Sequence, residues 1–366
     1  MSKWNIVTLD EVCSKGNSSI AQKDIKNNNR LYEIYGAGGY IKNIDFYQQS
    51  KPYVAVVKDG AGVGRTMLLP EKTSVIGTMQ YLIPNESVIA EYLYYAVTYM
   101  NLAKYFTGTT IPHIYFKDYQ KEKIILPPIE TQHKIATTLN KVTHTIDLCN
   151  QITEKLDLLV KSRFVEMFGG IHDSNLYPYQ SIDTFTSVTS GGTPDRKNND
   201  YWENGSIPWI KTTELHNNVI HEAEESITEK GLNESSAKLV PKGTILIAMY
   251  GQGKTRGMTA LLGVEASTNQ ACACILPCDK LNQIYLWKYL ILSYDKLRTL
   301  AKGGNQPNLN GNIIKKFPIL VPPITLQNQF SDFIEQTEKS KLAVKKVLEK
   351  AETLKKSLMQ EYFSGQ

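Results

Sequence analysis

Two stretches of the chain carry apolar residues three and four positions apart, the spacing of a helix with one apolar face. A Pro-Pro pair precedes each stretch, at 127–128 and at 322–323. A continuous helix from 130 to 168 would be about 58 Å long at ~1.5 Å per residue, which suits a spacer built as a helix pair. The apolar positions are Ile135, Leu139, Val142, Ile146, Cys149, Ile152, Leu156, Leu159 and Phe164 in the first stretch, and Phe330, Ile334, Val344, Val347, Leu354, Leu358 and Tyr362 in the second, where Thr337 and Lys341 interrupt the pattern.

The regions before the two long helices have a different pattern. Short apolar runs at 54–57 and 245–249 predict buried strands, and residues 92–105 and 284–300 predict shorter helices. Glycine and aromatic residues are frequent between these elements. Each region is therefore expected to form an α+β domain with an irregular sheet.

The chain contains this unit twice. The segment LPPIETQ at 126–132 returns as VPPITLQ at 321–327, and the offset of 195 positions continues without a gap into the helices. Upstream the similarity is weaker, but a strand, a glycine loop and an arginine occur in the same order in both copies. The predicted division is a first domain at 1–125, a helical spacer at 126–170, a second domain at 171–320 and a second spacer at 321–366. Related helices after related domains can pair as an antiparallel coiled coil.

Composition agrees with two soluble domains. The 366 residues are 42% hydrophobic and 21% charged, as in globular proteins that bury a core. The longest apolar runs are strand-sized, the first residues lack an apolar signal core, and five cysteines form no disulfide framework. We therefore expect a cytoplasmic protein without a membrane partner. The net charge of +5 leans only slightly toward an acidic partner.

A glycine loop in the second copy is similar to a phosphate-binding P-loop. The segment AMYGQGKT at 248–255 begins with Ala248 instead of glycine, and Arg256-Gly257 follows where a helix should open on the phosphates. The counterpart at 60–64 has no lysine. An ATP site is therefore not expected. The loop instead allows backbone amides and cations to approach a phosphate or a guanine edge, or it is a plain β-turn with solvated cations.

Other candidate chemistry is weak. Cys272 and Cys274 alternate with strand period and have no Cys or His pair at zinc-finger spacing, so buried small residues are expected. The six histidines are dispersed, and we expect neither a metal nor a cofactor. Both Pro-Pro elements resemble a methyltransferase tetrapeptide, but Leu126 and Val321 stand where a polar residue is required. These prolines are expected to set the entry angle of each helix.

The repeated order of recognition domain, Pro-Pro-Ile and long helix resembles the specificity subunit of type I restriction-modification systems. Each helix ends in a related segment, Lys161-Ser162 to Gly170 and Lys356-Ser357 to Gly365. The segments IPWIKT at 207–212 and YGAGGY at 35–40 are also similar to stretches in that family's recognition domains. The resemblance covers essentially the whole chain.

The resemblance implies that each domain reads one half of a gapped site in double-stranded DNA. It also implies that the helices recruit two methyltransferase subunits, after which translocase-nuclease subunits join. The candidate DNA-contacting residues are Tyr35, Lys58, Arg65, Thr110, His113, Lys211, Thr212, Gln252, Lys254, Arg256, Gln306 and Asn308. The candidate partner-binding residues on the helices are Leu139, Ile146, Leu159, Ile334, Leu354 and Leu358.

The two copies differ in one loop, where HIYF at 113–116 stands opposite NLNG at 308–311. Two alternatives of other classes remain. One is a stand-alone enzyme, either an ATPase that uses the loop at 251–255 or a methyltransferase that uses the Pro-Pro elements. The other is a scaffold with two lectin-like or peptide-binding domains.

Overall fold

The structure is a computed structural model that describes residues 4–25, 31–108, 112–251, 253–301 and 308–364, with only the backbone of Asp24. The chain forms two compact units. The first consists of Met1–Gln151 and Val344–Gln366, and the second of Ile152–Ala343. Each long helix therefore contributes one part to each unit.

Three sheets form the β structure of the first unit. Residues 53–57 (YVAVV) are buried along their whole length, as expected for a central strand packed on both faces. The strands are β1 (Asn5–Thr8), β2 (Cys13–Asn17), β3 (Tyr32–Gly36), β4 (Gly39–Ile44), β5 (Tyr53–Val57), β6 (Thr66–Leu69), β7 (Ser74–Val75), β8 (Met79–Pro84) and β9 (Lys123–Leu126). Their orders are β2-β8-β5-β6, β4-β3-β7 and β1-β9.

The helix α2 (Ala90–Met100) of the first unit packs on β5 and β8. The other helices of this unit are α1 (Leu9–Val12), α3 (Phe116–Tyr119), the first part of α4 (Ile129–Phe168) and residues 344–363 of the second long helix. The helix predicted at 92–105 is too long, because α2 ends where Asn101 adopts a left-handed conformation with φ 51°. A separate 3₁₀ turn, Leu102–Tyr105, follows. Asparagine tolerates this conformation and is common at helix ends.

The second unit repeats the design with two additional strands. Its strands are β10 (Tyr179–Ser181), β11 (Val188–Ser190), β12 (Ile207–Ile210), β13 (Asn218–Ile220), β14 (Glu225–Ile227), β15 (Leu239–Val240), β16 (Ile245–Ala248), β17 (Thr259–Leu262), β18 (Ala266–Thr268), β19 (Cys272–Ile275) and β20 (Pro318–Leu320). The orders are β11-β19-β16-β17-β13, β14-β12-β18-β15 and β10-β20. The first matches β2-β8-β5-β6 with β13 added at its edge, and the second matches β4-β3-β7 with β15 added.

The helices of the second unit are the second part of α4, α5 (Glu229–Asn233), α6 (Gln283–Leu292), α7 (Tyr294–Thr299), α8 (Gly311–Lys315) and the first part of α9 (Ile324–Phe363). The single helix predicted at 284–300 is divided at Ser293 into α6 and α7. Cys272 and Cys274 are fully buried in β19, as expected. Burial raises the pKa of the Cys274 thiol to about 11.

The two long helices, α4 and α9, pack together in antiparallel orientation. Within the second unit, the rings of Phe164 and Phe330 are 5.6 Å apart, and further along the pair Lys341 forms an ion pair with Asp157. In the first unit Met359 of α9 joins the core that contains Leu139 of α4. The predicted helix pairing is thus confirmed. No helix in the described ranges is both long and apolar enough to cross a membrane.

Candidate nucleic-acid interface

The first glycine loop (residues 58–65) follows the end of β5 and carries two cations, Lys58, which is ion-paired, and Arg65, which is exposed. The ammonium of Lys58 lies 2.7 Å from a carboxylate oxygen of Asp59, and Nδ1 of His113 lies 2.7 Å from the other oxygen. Burial acts to raise the pKa of Asp59, but hydrogen bonds from Lys58 and His113 outweigh it, so that pKa lies below its ordinary value. Asp59 therefore compensates the charge of Lys58.

Arg65 lies on the outside of the same loop. Its side chain is exposed, and its Nε is 3.4 Å from the carbonyl oxygen of Gly62. The loop backbone packs closely on the 3₁₀ turn at 102–105, because a Cβ at Gly64 would lie 2.4 Å from the backbone nitrogen of Ala103. Gly64 also has φ 84°, so glycine is needed here for two reasons. The fixed backbone presents the guanidinium of Arg65 to solvent.

The second glycine loop (residues 250–257) leaves the end of β16 and is held by α7. Tyr294 donates its hydroxyl to the carbonyl of Lys254 at 2.7 Å. Arg298 donates to the carbonyls of Arg256 at 2.7 Å and Gly253 at 2.9 Å. Lys254 is exposed and Arg256 is half-buried. Lys254 is therefore the better placed of these two predicted cations, and Gln252 lies outside the described residues.

The loop in which the two copies differ makes an equivalent backbone hydrogen bond in both. The amide of Ile114 donates to the carbonyl of Lys58 at 2.9 Å, and the amide of Leu309 donates to the carbonyl of Met249 at 3.0 Å. Ile114 and Leu309 are equally buried. The structure thus places His113 and the half-buried Asn308 at equivalent positions beside the two glycine loops. Thr110 and Gln306 fall outside the described residues.

The other predicted contacts lie in different sheets from β5 and β16. Tyr35 is half-buried on β3, where its hydroxyl donates to Glu33, and burial followed by this bond raises its pKa to about 12. Lys211 follows β12 and forms ion pairs with Glu224 at 2.9 Å and Glu225 at 2.8 Å. Thr212 begins a 3₁₀ turn and is half-buried. Tyr35 packs against the core cluster that contains Val57 at the end of β5, whereas Lys211 and Thr212 follow β12.

A polar cleft of about 430 Å³ lies between β11, the end of β16 and α8. Amide and hydroxyl side chains of the kind that hydrogen-bond base edges line it, and none of them was predicted from the sequence. They are Thr189, Ser190, Tyr250, Gln270, Asn310 and Asn312. Asn310 also caps α8 by accepting the amide of Ile313 at 2.9 Å.

The six predicted partner-binding residues divide into two groups. Leu139 and Ile334 are buried in the cores of the first and second unit, so they stabilise the chain itself and do not form a partner surface. Ile146 and Leu358 are half-buried, and Leu159 and Leu354 are exposed. The apolar stripe predicted from spacing therefore included the internal face of each helix. Other exposed apolar residues on the two helices are Ile129, Leu148, Ile152, Leu158, Val165, Ile324, Leu342 and Val347.

Sequence reasoning also missed the role of two glutamines in the repeated Pro-Pro segments. Gln132 is buried; its amide oxygen accepts the backbone amide of Ile89 at 3.0 Å, and its nitrogen donates to two backbone carbonyls at 2.9 Å. Gln327 is also buried and accepts the backbone amide of Asn282 at 3.0 Å. Both glutamines occur at the same offset in the two sequence repeats, and this was a visible signal.

In the described part of the chain, no group of three or more His, Cys, Asp or Glu side chains could hold a metal ion.

Comparison with known proteins gives a consistent result. A family described as the type I restriction modification DNA specificity domain matches residues 1–158 and 181–355. The type I restriction enzyme EcoR124I/EcoR124II specificity subunit of Escherichia coli is 23% identical over 301 residues, which cover 79% of this chain and 74% of that protein. The type I restriction enzyme MjaIX specificity subunit of Methanocaldococcus jannaschii is 31% identical over 181 residues, which cover 46% of this chain and 41% of that protein.

Solved structures share the fold. The S subunit of a type I restriction-modification system from M. genitalium superposes with a TM-score of 0.67 at 16% identity, over 99% of this chain and 96% of that one. A second solved chain comes from a study of complex assembly and conformational transition of the type I R-M system. It superposes with a TM-score of 0.56 at 16% identity, over 98% of this chain and 97% of that one. Since the two family matches together cover most of the sequence, the chain belongs to the family of type I restriction-modification DNA specificity subunits, with two tandem recognition domains.

Proposed function

We propose that the chain is a non-catalytic subunit in which the domain at 1–125 reads one half of a gapped duplex site and the domain at 171–320 reads the other. The observation that carries this proposal is the duplicated glycine loop. Each unit has one loop at the end of its central strand, with an exposed cation, Arg65 in the first and Lys254 in the second. Cations at such positions can contact phosphates or guanine edges.

The absence of catalysis is part of the proposal. In a P-loop, a helix begins after the glycines and its N-terminus faces the phosphates. Here the loop at 250–257 leads into strand β17 and not into a helix. The geometry therefore supports a DNA-contacting loop over an ATP site. A partner-free preparation should show neither ATP hydrolysis nor methyl transfer.

The helices provide surfaces for partners. Leu158 is 63% exposed, and Leu159 and Leu354 are about half exposed, whereas other apolar residues of α4 and α9 are buried in the cores of the two units. We infer that these faces bind two methyltransferase subunits, and that translocase-nuclease subunits join the resulting complex. The net charge of this chain is only +5, so the partner subunits would supply additional cations that contact DNA phosphates. Such a complex acts on DNA in the cytoplasm.

The test is the sequence preference of the reconstituted methyltransferase complex. Complexes with Arg65→Ala or Lys254→Ala would methylate a randomised-site library, and the modified products would be sequenced. A base-reading cation is worth ~1–3 kcal/mol at one base, so its loss relaxes the preference in one half-site only. A phosphate-contacting cation weakens all sequences alike.

Lys280→Ala is the control, since Lys280 is an exposed cation of the second unit outside the loop. A second arm replaces residues 172–320 by another recognition domain. A change of base preference in both half-sites, from either point variant or from the replacement, would contradict the two-domain proposal.

A further inference from the structure

Two side chains of α7, Tyr294 and Arg298, bind three backbone carbonyls of the second glycine loop; we call this pair the carbonyl brace. The hydroxyl of Tyr294 is 2.7 Å from the carbonyl oxygen of Lys254. The guanidinium of Arg298 is 2.7 Å and 2.9 Å from the carbonyl oxygens of Arg256 and Gly253, and 3.0 Å from the Tyr294 hydroxyl. The brace fixes the direction of these peptide groups.

The orientation of the carbonyls determines the orientation of the amides. A trans peptide is planar, so its N–H points opposite to its C=O. Since the carbonyls of Gly253 and Lys254 point toward α7, the amides of Lys254 and Thr255 point away from it. Gly253 has φ 59°, a left-handed conformation. Successive amides next to a left-handed residue form a concave surface that binds anions.

The charges around the loop favour an anion. Lys254 is exposed beside these amides, and the segment 250–257 contains no Asp or Glu. The first glycine loop differs, because Asp59 compensates Lys58 there at 2.7 Å. The second loop thus combines two outward amides with an ammonium group that has no ion pair among the described residues, which fits a phosphate.

We propose that the amides of Lys254 and Thr255, together with the Lys254 ammonium, bind one backbone phosphate of DNA, and that Tyr294 and Arg298 are positioning residues for this contact. The proposal rests on the proposed DNA-reading function. It assigns this loop to fixing the register of the second domain on the duplex, while base reading belongs to other residues of the domain.

The experiment uses the chain assembled with its methyltransferase subunits. Affinity for a specific and a non-specific duplex would be measured over a series of salt concentrations. Lys254→Ala should weaken both by a similar factor and reduce the slope of log K against log salt by ~0.9. Tyr294→Phe and Arg298→Lys should each weaken binding to both duplexes by about fivefold, on the order of one lost hydrogen bond. Neither substitution removes a positive charge, so the salt slope should stay close to that of the wild type.

Combining Lys254→Ala with Arg298→Lys should cost less than the product of the two single effects, because both act on one phosphate. A merely structural role of Arg298 would give independent effects. Lys296→Ala is the matched control, since Lys296 is an exposed cation of the same helix, and its salt slope should equal that of the wild type. If Arg298→Lys unfolds the domain, Tyr294→Phe still tests the brace, since it removes a single hydroxyl.

An unchanged salt slope in Lys254→Ala, or an unchanged affinity in Tyr294→Phe, would overturn the proposal. So would an altered base preference in the second half-site, which would make the loop a base reader. The proposed function fails separately, if the wild-type complex shows no preference for any site.

Discussion

At the scale of single residues, the two buried glutamines have the same structural role in both Pro-Pro segments. Gln132 and Gln327 occupy the first turns of α4 and α9, and each accepts the backbone amide at the N-terminus of α2 or α6. Each also donates to a backbone carbonyl of its Pro-Pro segment. A buried amide that satisfies several backbone groups fixes the angle between domain and helix.

Replacing Gln132 by Ala should lower the free energy of unfolding by about 2–4 kcal/mol, because three buried backbone groups lose their partner. Denaturant unfolding of the full chain measures this. Gln151→Ala is the control, since Gln151 is an exposed glutamine on the same helix, and its effect should be within about 0.5 kcal/mol of zero. Equal effects of the two substitutions would refute the anchoring role.

Residue roles were the least predictable part of the chain. Leu139 and Ile334 fitted a partner-binding stripe, but both lie in internal cores, because periodicity defines an apolar face without saying what covers it. Arg298 stands more than forty positions from the loop that it binds. Such a contact depends on tertiary folding, and no local pattern reports it.

At the scale of elements, α9 is fixed in the second unit by a partly buried ion pair. The Oε1 atom of Glu338 in α9 accepts a hydrogen bond from the ammonium of Lys288 in α6 at 2.8 Å. The ammonium of Lys341 lies 3.5 Å from the same oxygen. Partial burial acts to raise the pKa of Glu338, but the hydrogen bond and charge of Lys288, followed by the charge of Lys341, outweigh it and lower that pKa. The Lys288 side chain is only 10% exposed, so Glu338 is the partner of a nearly buried ammonium group.

Glu338→Gln should destabilise the chain by about 1–2 kcal/mol at neutral pH, a modest value because water screens the 44% exposed side chain of Glu338. A carboxyl group whose pKa is lowered in the folded state stabilises the fold at pH values above its ordinary pKa. This contribution is lost as the pH falls through the lowered pKa. The difference from wild type should therefore be constant from pH 7 down to about pH 5 and then shrink.

Thermal unfolding between about pH 3 and pH 7 spans that window. Glu335→Gln, an exposed carboxylate on the same helix, should stay close to wild type throughout. A Glu338→Gln difference that grows on acidification would contradict the ion-pair account.

The helices and central strands were well predicted, since α4, α9, β5 and β16 follow strong periodic or continuous apolar patterns. Edge strands β13 and β15 were not, because three-residue and two-residue strands carry no period of their own. Their pairing is decided by the strands beside them.

At the scale of the whole molecule, the two units differ in chain continuity. The second unit is one continuous segment, Ile152–Ala343, whereas the first needs both Met1–Gln151 and Val344–Gln366. Met359 is buried in the core of the first unit, and the ring of Phe363 lies 5.2 Å from that of Tyr92. The sequence repeat implied two equal halves, but the end of α9 belongs to the first domain.

A fragment of residues 152–343 should therefore fold alone, with near-UV circular dichroism and protected amides. A fragment of residues 1–151 should not fold until a peptide of residues 344–366 is added, because its core lacks Met359 and Phe363. Hydrogen exchange of each fragment, with and without the peptide, measures this. Equal protection of 1–151 in both conditions would show that the end of α9 is dispensable.

Anchoring through backbone groups has a consequence for sequence change in the recognition domains. The partners of Gln132 are the amide of Ile89 and the carbonyls of Ser87 and Pro127, groups that nearly every amino acid offers. Side chains of the domain can therefore be replaced without loss of these anchors. Proline at the position of Ile89 or Asn282 is the exception, since proline has no amide hydrogen to donate to the glutamine.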